Sequence, residues 1–282
     1  METPGFRLST QQKRVWSLWQ ADPTARSWCV LRIDGALDAD RLRAAAESLA
    51  ASHEILRTAF PRRPGMRTPV QTVADGVSIG WTPTAVSSRE SGSLEAAGEE
   101  LVLQDFESPL DLQTGPVFRL RLTALSASTH LLLFSLPALC ADRRCLHDIA
   151  RELSRRYRTP EEAQPGTAPI QYADYAQWQE DLRSSDEEAV MAGKEHWRAV
   201  DELGSGVAAS WRSLPHDPGE PGVSGFRISD SATARIEALC HSRGVSPADF
   251  LLGCWQILLA RATADPVAVV RMVDDGRHLE EL

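Results

Sequence analysis

Three observations predict a mixed α/β fold. Leu131, Leu132, Leu133 and Phe134 begin a continuous apolar run, the pattern of a strand covered on both faces. The run breaks at Pro137, which cannot donate a ladder hydrogen bond. A helix period starts near Asp142, with Leu146, Ile149, Ala150, Leu153 and Tyr157 on one face. Strand-like and helix-like stretches alternate elsewhere until a Gly- and Pro-rich interval at 204–225, which reads as a linker. The expected organisation is therefore a first lobe at 1–203, the linker, and the start of a second lobe at 226–282.

Taken in order, Ser9 is a good N-cap for a short helix carrying Val15, Trp16, Leu18 and Trp19. Trp28 to Ile33 has strand composition, with Asp34-Gly35 as its exit turn. Asp38 caps a second helix whose apolar face runs Leu42, Ala45, Ala46, Leu49, Ala50 and His53, ending near Leu56. Short strands fit 69–73 and 77–82, a polar loop fits 87–93, and a helix fits 94–105. A strand at 117–125 and a hairpin at Ser126 to Thr129 lead into the apolar run. After the helix at 143–158 comes a loop, Thr159 to Pro169, then helices at 171–184 and 186–203. Beyond the linker the pattern gives a strand at 226–229, helices at 231–243 and 247–262, and a strand at 267–273. The helix at 247–262 is apolar nearly all round, and the few elements after 225 make too small a core to cover it, so the second lobe reads as incomplete.

Composition narrows the function classes. A hydrophobic share of 43% with 24% charged residues is that of an ordinary globular protein. The net charge of -9 argues against non-specific binding to nucleic acid or to an anionic membrane. The apolar runs are too short to span a bilayer and the N-terminus has no signal-peptide pattern, so a cytoplasmic location is expected. Cys29, Cys140, Cys145, Cys240 and Cys254 form no C-x-x-C pair and no zinc spacing, so no metal is expected and buried free thiols are.

Several separated stretches together resemble the condensation domain of nonribosomal peptide synthetases. Ser9 to Trp16 resembles the family's S-x-x-Q-x-R-x-W opening, and Ser52 to Phe60 resembles R-H-E-x-L-R-T-x-F with Ser52 at the first arginine. Phe106 to Leu112 and Gly115 to Arg119 look like the p-F-D-L-x-x-G-P-L-x-R region, and Tyr172 to Trp178 matches Y-x-D-Y-A-x-W. Leu251 to Ala262 followed by Val267 to Arg277 looks like the start of the second lobe. Five matches in the right order, covering residues 5–282, are specific. The resemblance implies a chloramphenicol-acetyltransferase-like condensation-domain fold, with a complete N-terminal lobe and a partial C-terminal lobe.

The family's signature is H-H-x-x-x-D-G at the end of a strand. With register set by the apolar strand and Asp142, Pro137 and Ala138 stand at the two histidine positions and Arg143 at the glycine. Ala138 has no lone pair to accept a proton, so it cannot orient an amine or act as a base. The heterocyclising D-x-x-x-x-D pattern is not matched either, since Pro137 is not an acid. The resemblance further implies a structural ion pair between Asp142 and Arg57; the plain reading is that Asp142 caps the following helix, and the two roles are not exclusive.

These readings predict a catalytically degenerate domain acting as a scaffold or docking platform. Its expected partners are a peptidyl or acyl carrier protein, a trans-acting tailoring enzyme and neighbouring synthetase domains. It would need no cofactor of its own, substrates arriving on phosphopantetheine. Arg143, Arg144, Arg151 and Arg155, with Arg156 and Arg158, form a basic segment suited to an acidic carrier or a phosphate, or simply a solvated helix face. The alternative function is a divergent condensation enzyme that joins carrier-bound thioesters and amines by positioning alone. Cys140 and His147 invite a nucleophile-and-base reading, but an apolar setting favours a packed thiol. Tyr172, Tyr175 and Trp178 are expected to pack their helix onto the lobe.

Overall fold

A computed structural model describes residues 5–22, 24–84, 93–159, 170–211 and 225–263, together with residues 268, 270 and 272. The chain falls into two compact units that meet in sequence at Ser185 and Asp186.

The first unit is built on a four-stranded sheet of order β1-β6-β5-β4. β1 (Arg26–Asp34) and β6 (Thr129–Pro137) pair antiparallel along their whole length, β6 forms a hairpin with β5 (Arg119–Ser126), and β4 (Gly80–Thr84) runs parallel to β5. The apolar run lies in β6 because both faces of that strand are covered. Leu132, Phe134 and Leu136 enter the main core with α2 (Ala39–Ser52) and α4 (Arg143–Arg158). Leu131 and Leu133 pack with Leu101 of α3 (Leu94–Phe106) on the other face. Each such buried leucine contributes roughly 1.5–3 kcal/mol.

The cap signals act as read. Ser9 Oγ accepts the Gln12 amide at 3.1 Å and Gln12 Oε1 accepts the Ser9 amide at 3.0 Å, a capping box that starts α1 (Thr10–Ala21). Asp38 caps α2 with a one-way bond, its side chain accepting the Arg41 amide at 3.0 Å. α2 is shorter than its apolar pattern predicts. It ends at Ser52, where His53 takes an extended conformation, and Glu54–Arg57 form a separate 3-10 turn before β2 (Thr58–Ala59). β2 pairs with β3 (Thr72–Val73), so only the end of the predicted 69–73 strand is ladder. α5 (Tyr172–Ser184) closes the unit.

A second polar device fixes α3 to the sheet. Asp105 of α3 accepts from Arg26 of β1 at 2.8 Å, Arg121 of β5 at 3.0 Å and Ser135 of β6 at 2.8 Å. Both Arg26 and Asp105 side chains are only 1% exposed.

The second unit contains α6 (Glu188–Trp211), α7 (Asp230–Arg243) and α8 (Pro247–Thr263). α6 runs eight residues beyond its expected end at 203, so the first part of the predicted linker, 204–211, is helical. The strand expected at 226–229 does not form. Among the described residues that segment has no strand to pair with, and Phe226 is exposed. The rest of the linker, the loops within 87–92 and 160–169, and all but residues 268, 270 and 272 of the strand expected at 267–273 lie outside the described residues. Leu251, Trp255, Ile257 and Leu258 of α8 are exposed within this unit.

Candidate functional site

The turn after β6 is where the motif positions fall. β6 delivers Pro137, the chain turns through Ala138 to Cys140, and Asp142 caps α4 by accepting the Cys145 amide at 2.8 Å. Several backbone groups of the turn are already engaged. The Cys140 amide donates to the Pro137 carbonyl at 2.8 Å and the Ala138 amide to the Ala25 carbonyl at 3.3 Å. Gln12 Nε2 donates to the Leu139 carbonyl at 3.2 Å, and Ser27 Oγ donates to the Ala141 carbonyl at 2.6 Å. Pro137, Leu139, Cys140 and Ala141 are buried, and Ala138 is half-buried. No side chain at Pro137 or Ala138 can take or give a proton.

Cys140 does not repair that deficit. Burial pushes its thiol well above the usual cysteine range, so it carries no thiolate at neutral pH. His147 is exposed on α4, and no hydrogen bond joins it to Cys140.

Asp142 and Arg57 are not brought into an ion pair. Arg57 reaches Glu54 at 3.4 Å and donates to the Ala74 carbonyl, both local to its own turn, while Asp142 is exposed and serves α4 as N-cap. The capping role of Asp142 is present, and Arg57 makes its contacts with Glu54 and Ala74. Glu54, three residues from Arg57, wins because it shares the same short helical turn.

The basic segment of α4 divides three ways. Arg156 is buried and faces α2, donating to Glu152 at 3.0 Å and to Ser48 and Ser52 at 2.7 and 2.9 Å, so it is structural. Glu152 also bonds His53 Nε2 at 2.8 Å; burial alone would raise its carboxyl, but the His53 and Arg156 bonds hold it down at about 2. Arg143, Arg151, Arg155 and Arg158 instead line a cleft of about 1060 Å³ between α4 and β1. Arg144 is exposed outside that cleft, beside Asp148 at 3.4 Å.

α5 carries the aromatic motif as a ladder. Tyr172 and Tyr175 are 5.9 Å apart and Tyr175 and Trp178 are 5.8 Å apart, and the Tyr172 hydroxyl meets Ser9 Oγ at 2.8 Å. The helix is seated mainly by the small Ala173 and Ala176, and Trp178 remains 49% exposed, so it packs less than expected. Lys13 of α1 bridges to Glu180 at 2.9 Å; hydrogen bonds from Arg183 and then Lys13 hold that carboxyl at about 2.

The condensation-domain family model matches residues 5–282. The chain belongs to the condensation-domain family. Among curated relatives, tyrocidine synthase 3 of Brevibacillus parabrevis is 28% identical across 96% of this chain, which spans 4% of that relative. Among solved structures, the complex of the X-domain and OxyB from teicoplanin biosynthesis matches with TM-score 0.64 and 25% identity, over 94% of this chain and 59% of that one. The first condensation domain of the calcium-dependent antibiotic synthetase, solved with a substrate analogue, matches with TM-score 0.67 and 18% identity, over 93% of this chain and 62% of that one. The chain thus covers a small part of its curated relatives and about six-tenths of these solved chains. Its architecture is the chloramphenicol-acetyltransferase-like condensation fold. No helix among the described residues is long and apolar enough to cross a membrane.

Sequence reasoning missed two features of this condensation domain. Gln12 holds the motif turn from α1, although the sequence marks it only as one letter of a resemblance. The cleft beside α4 has no signature of its own; only the arginines spaced along α4 pointed towards it.

Proposed function

We propose that this condensation domain is a catalytically degenerate member of a peptide-synthetase assembly line, serving as a docking platform rather than forming an amide bond. One feature supports the reading: at the end of β6, where the resemblance puts the family's histidines, the chain has Pro137 and Ala138, in a turn held by bonds to Ala25, Gln12 and Ser27. Neither Pro137 nor Ala138 carries an acid–base side chain, Asp142 is engaged as the cap of α4, and the Cys140 thiol is not activated. The partners are a carrier protein, bringing substrates on its phosphopantetheine arm, and an enzyme acting in trans. The X-domain–OxyB complex supports the second partner, since there a domain of this fold is bound to another protein. The exposed arginines of α4 suit an acidic partner surface.

The test is a condensation assay on the intact parent protein, loaded with donor and acceptor carrier thioesters, alongside an Ala138→His variant. The expected result is no product above uncatalysed aminolysis, with carrier or trans-enzyme binding retained. Turnover well above that background in the unaltered protein would overturn the docking reading in favour of a divergent condensation enzyme.

A further inference from the structure

We propose that the cleft between β1 and α4 binds an extended acidic polypeptide segment, which adds to the sheet as a strand on the outer edge of β1, where no strand pairs among the described residues. The inference rests on the docking reading and gives it a place and a chemistry.

The backbone supplies the first argument. In an antiparallel pair the N–H and C=O of one residue point to the same side, and successive residues alternate. The Ala25 carbonyl accepts from Ala138 and the Gly35 amide donates to Ser128, and the register between β1 and β6 is unbroken from Arg26 to Asp34. Odd-numbered residues therefore face β6. Trp28, Val30, Arg32 and Asp34 turn their main-chain groups outward, where no strand lies among the described residues. A row of unpaired donors and acceptors is a template for another strand, and a lipid chain could not satisfy it.

The cleft supplies the second. It opens directly beside that edge, with α4 as its wall. Nine strand residues extend about 30 Å, and the sixteen residues of α4 extend about 24 Å. Leu31, Ile33, Leu37 and Leu146 offer apolar surface to alternate side chains of an incoming strand.

Charge decides what kind of strand fits. Five arginines line the cleft, Arg32, Arg143, Arg151, Arg155 and Arg158, against one carboxylate, Asp34, which Arg32 already engages at 2.9 Å. On α4 itself Arg151, 81% exposed, meets Asp148 only at 3.9 Å. Arg155 meets Glu152 at 3.8 Å, which Glu152 shares with Arg156, so arginines still outnumber acids around the cleft. In a chain of net charge -9 this is a local positive strip, complementary to glutamate or aspartate on a partner.

The experiment uses the full chain and a capped ten-residue peptide of alternating valine and glutamate. A valine–lysine peptide and myristate serve as comparison ligands. The acidic peptide should bind at least about ten-fold more tightly than the lysine peptide and weaken with added salt. On binding, the amides of Trp28, Val30, Arg32 and Asp34 should slow in hydrogen exchange, with little change at the intervening odd residues. Arg151→Glu with Arg155→Glu, both surface changes, should weaken the peptide by about ten-fold or more. Equal binding of the two peptides, or binding without the alternating protection, would overturn the proposal. So would myristate displacing the acidic peptide while leaving the β1 amides unprotected, which would assign the cleft to a lipid-like ligand. A carrier protein or trans-acting enzyme that binds while these amides exchange freely would remove the added strand and leave the docking reading standing.

Discussion

Gln12 in α1 donates through Nε2 to the carbonyl of Leu139, 127 residues further along the chain, at 3.2 Å. The same nitrogen reaches Gln71 Oε1 at 3.0 Å and the amide oxygen takes the Ser9 N–H, so the buried side chain joins three segments. A glutamine is needed because both a donor and an acceptor are used at once. Gln12→Met, similar in volume, strands the Leu139 carbonyl and Gln71 and should cost about 1–3 kcal/mol. Urea unfolding of the two proteins checks this; a difference below about 0.5 kcal/mol would mean the turn does not depend on α1.

Asp142 and Arg57 should behave as independent residues. Asp142→Ala removes an N-cap and should cost about 1 kcal/mol, rather than the roughly 3–5 kcal/mol of a broken buried pair. A double-mutant cycle with Arg57→Ala should give a coupling energy below about 0.5 kcal/mol. A coupling of several kcal/mol would support the ion pair that the resemblance implies.

What could be read in advance follows from how directly packing writes itself into residue order. β6 was legible because a strand covered on both faces is apolar at every position, and α4 because its face towards α2 and β1 repeats at helical spacing. The end of α2 was not legible. Ile55 and Leu56 continue its apolar face, no Gly or Pro marks the break, and a 3-10 turn places them inward as a helix would. The turn holding Pro137 and Ala138 was legible as the end of an apolar strand followed by a capped helix, while their motif positions rest on the resemblance alone. Glu152 beside Arg156 follows from helical spacing, but the Ser48 and Ser52 partners of Arg156 and the Glu54 partner of Arg57 were hidden, because charge spacing does not say which neighbour turns towards a guanidinium.

The Asp105 cluster shows the same limit. Arg119 and Arg121 stand at alternate positions of β5 and so share a face, a signal for a buried acid opposite, but nothing in sequence singles out Asp105. Asp105→Ala leaves Arg26 and Arg121 short of their common acceptor in the interior. The expected loss is about 3–5 kcal/mol, read as a lowered urea midpoint with unchanged m-value. Asp105→Asn keeps the shape but not the charge and should lose less.

Glu152 predicts how the first unit responds to acid. Its carboxyl is held at about 2 in the folded protein by His53 and Arg156, against 4.5 for an unconstrained glutamate. A folded pKa below the unfolded one means the unfolded chain binds the proton more readily, so stability falls as pH falls. The contribution is full above about 4.5 and is lost progressively down to about 2, amounting to on the order of 3 kcal/mol. Glu152→Gln should therefore be less stable at neutral pH, and the gap between the two proteins should narrow steadily through that window. Because Arg156 joins α4 to Ser48 and Ser52 of α2, the loss should appear first as exposure of the α2–α4 contact, which hydrogen exchange in the two helices can follow. Parallel stability curves for Glu152→Gln and the unaltered protein between pH 4.5 and 2 would mean that this carboxylate is not what ties folding to pH.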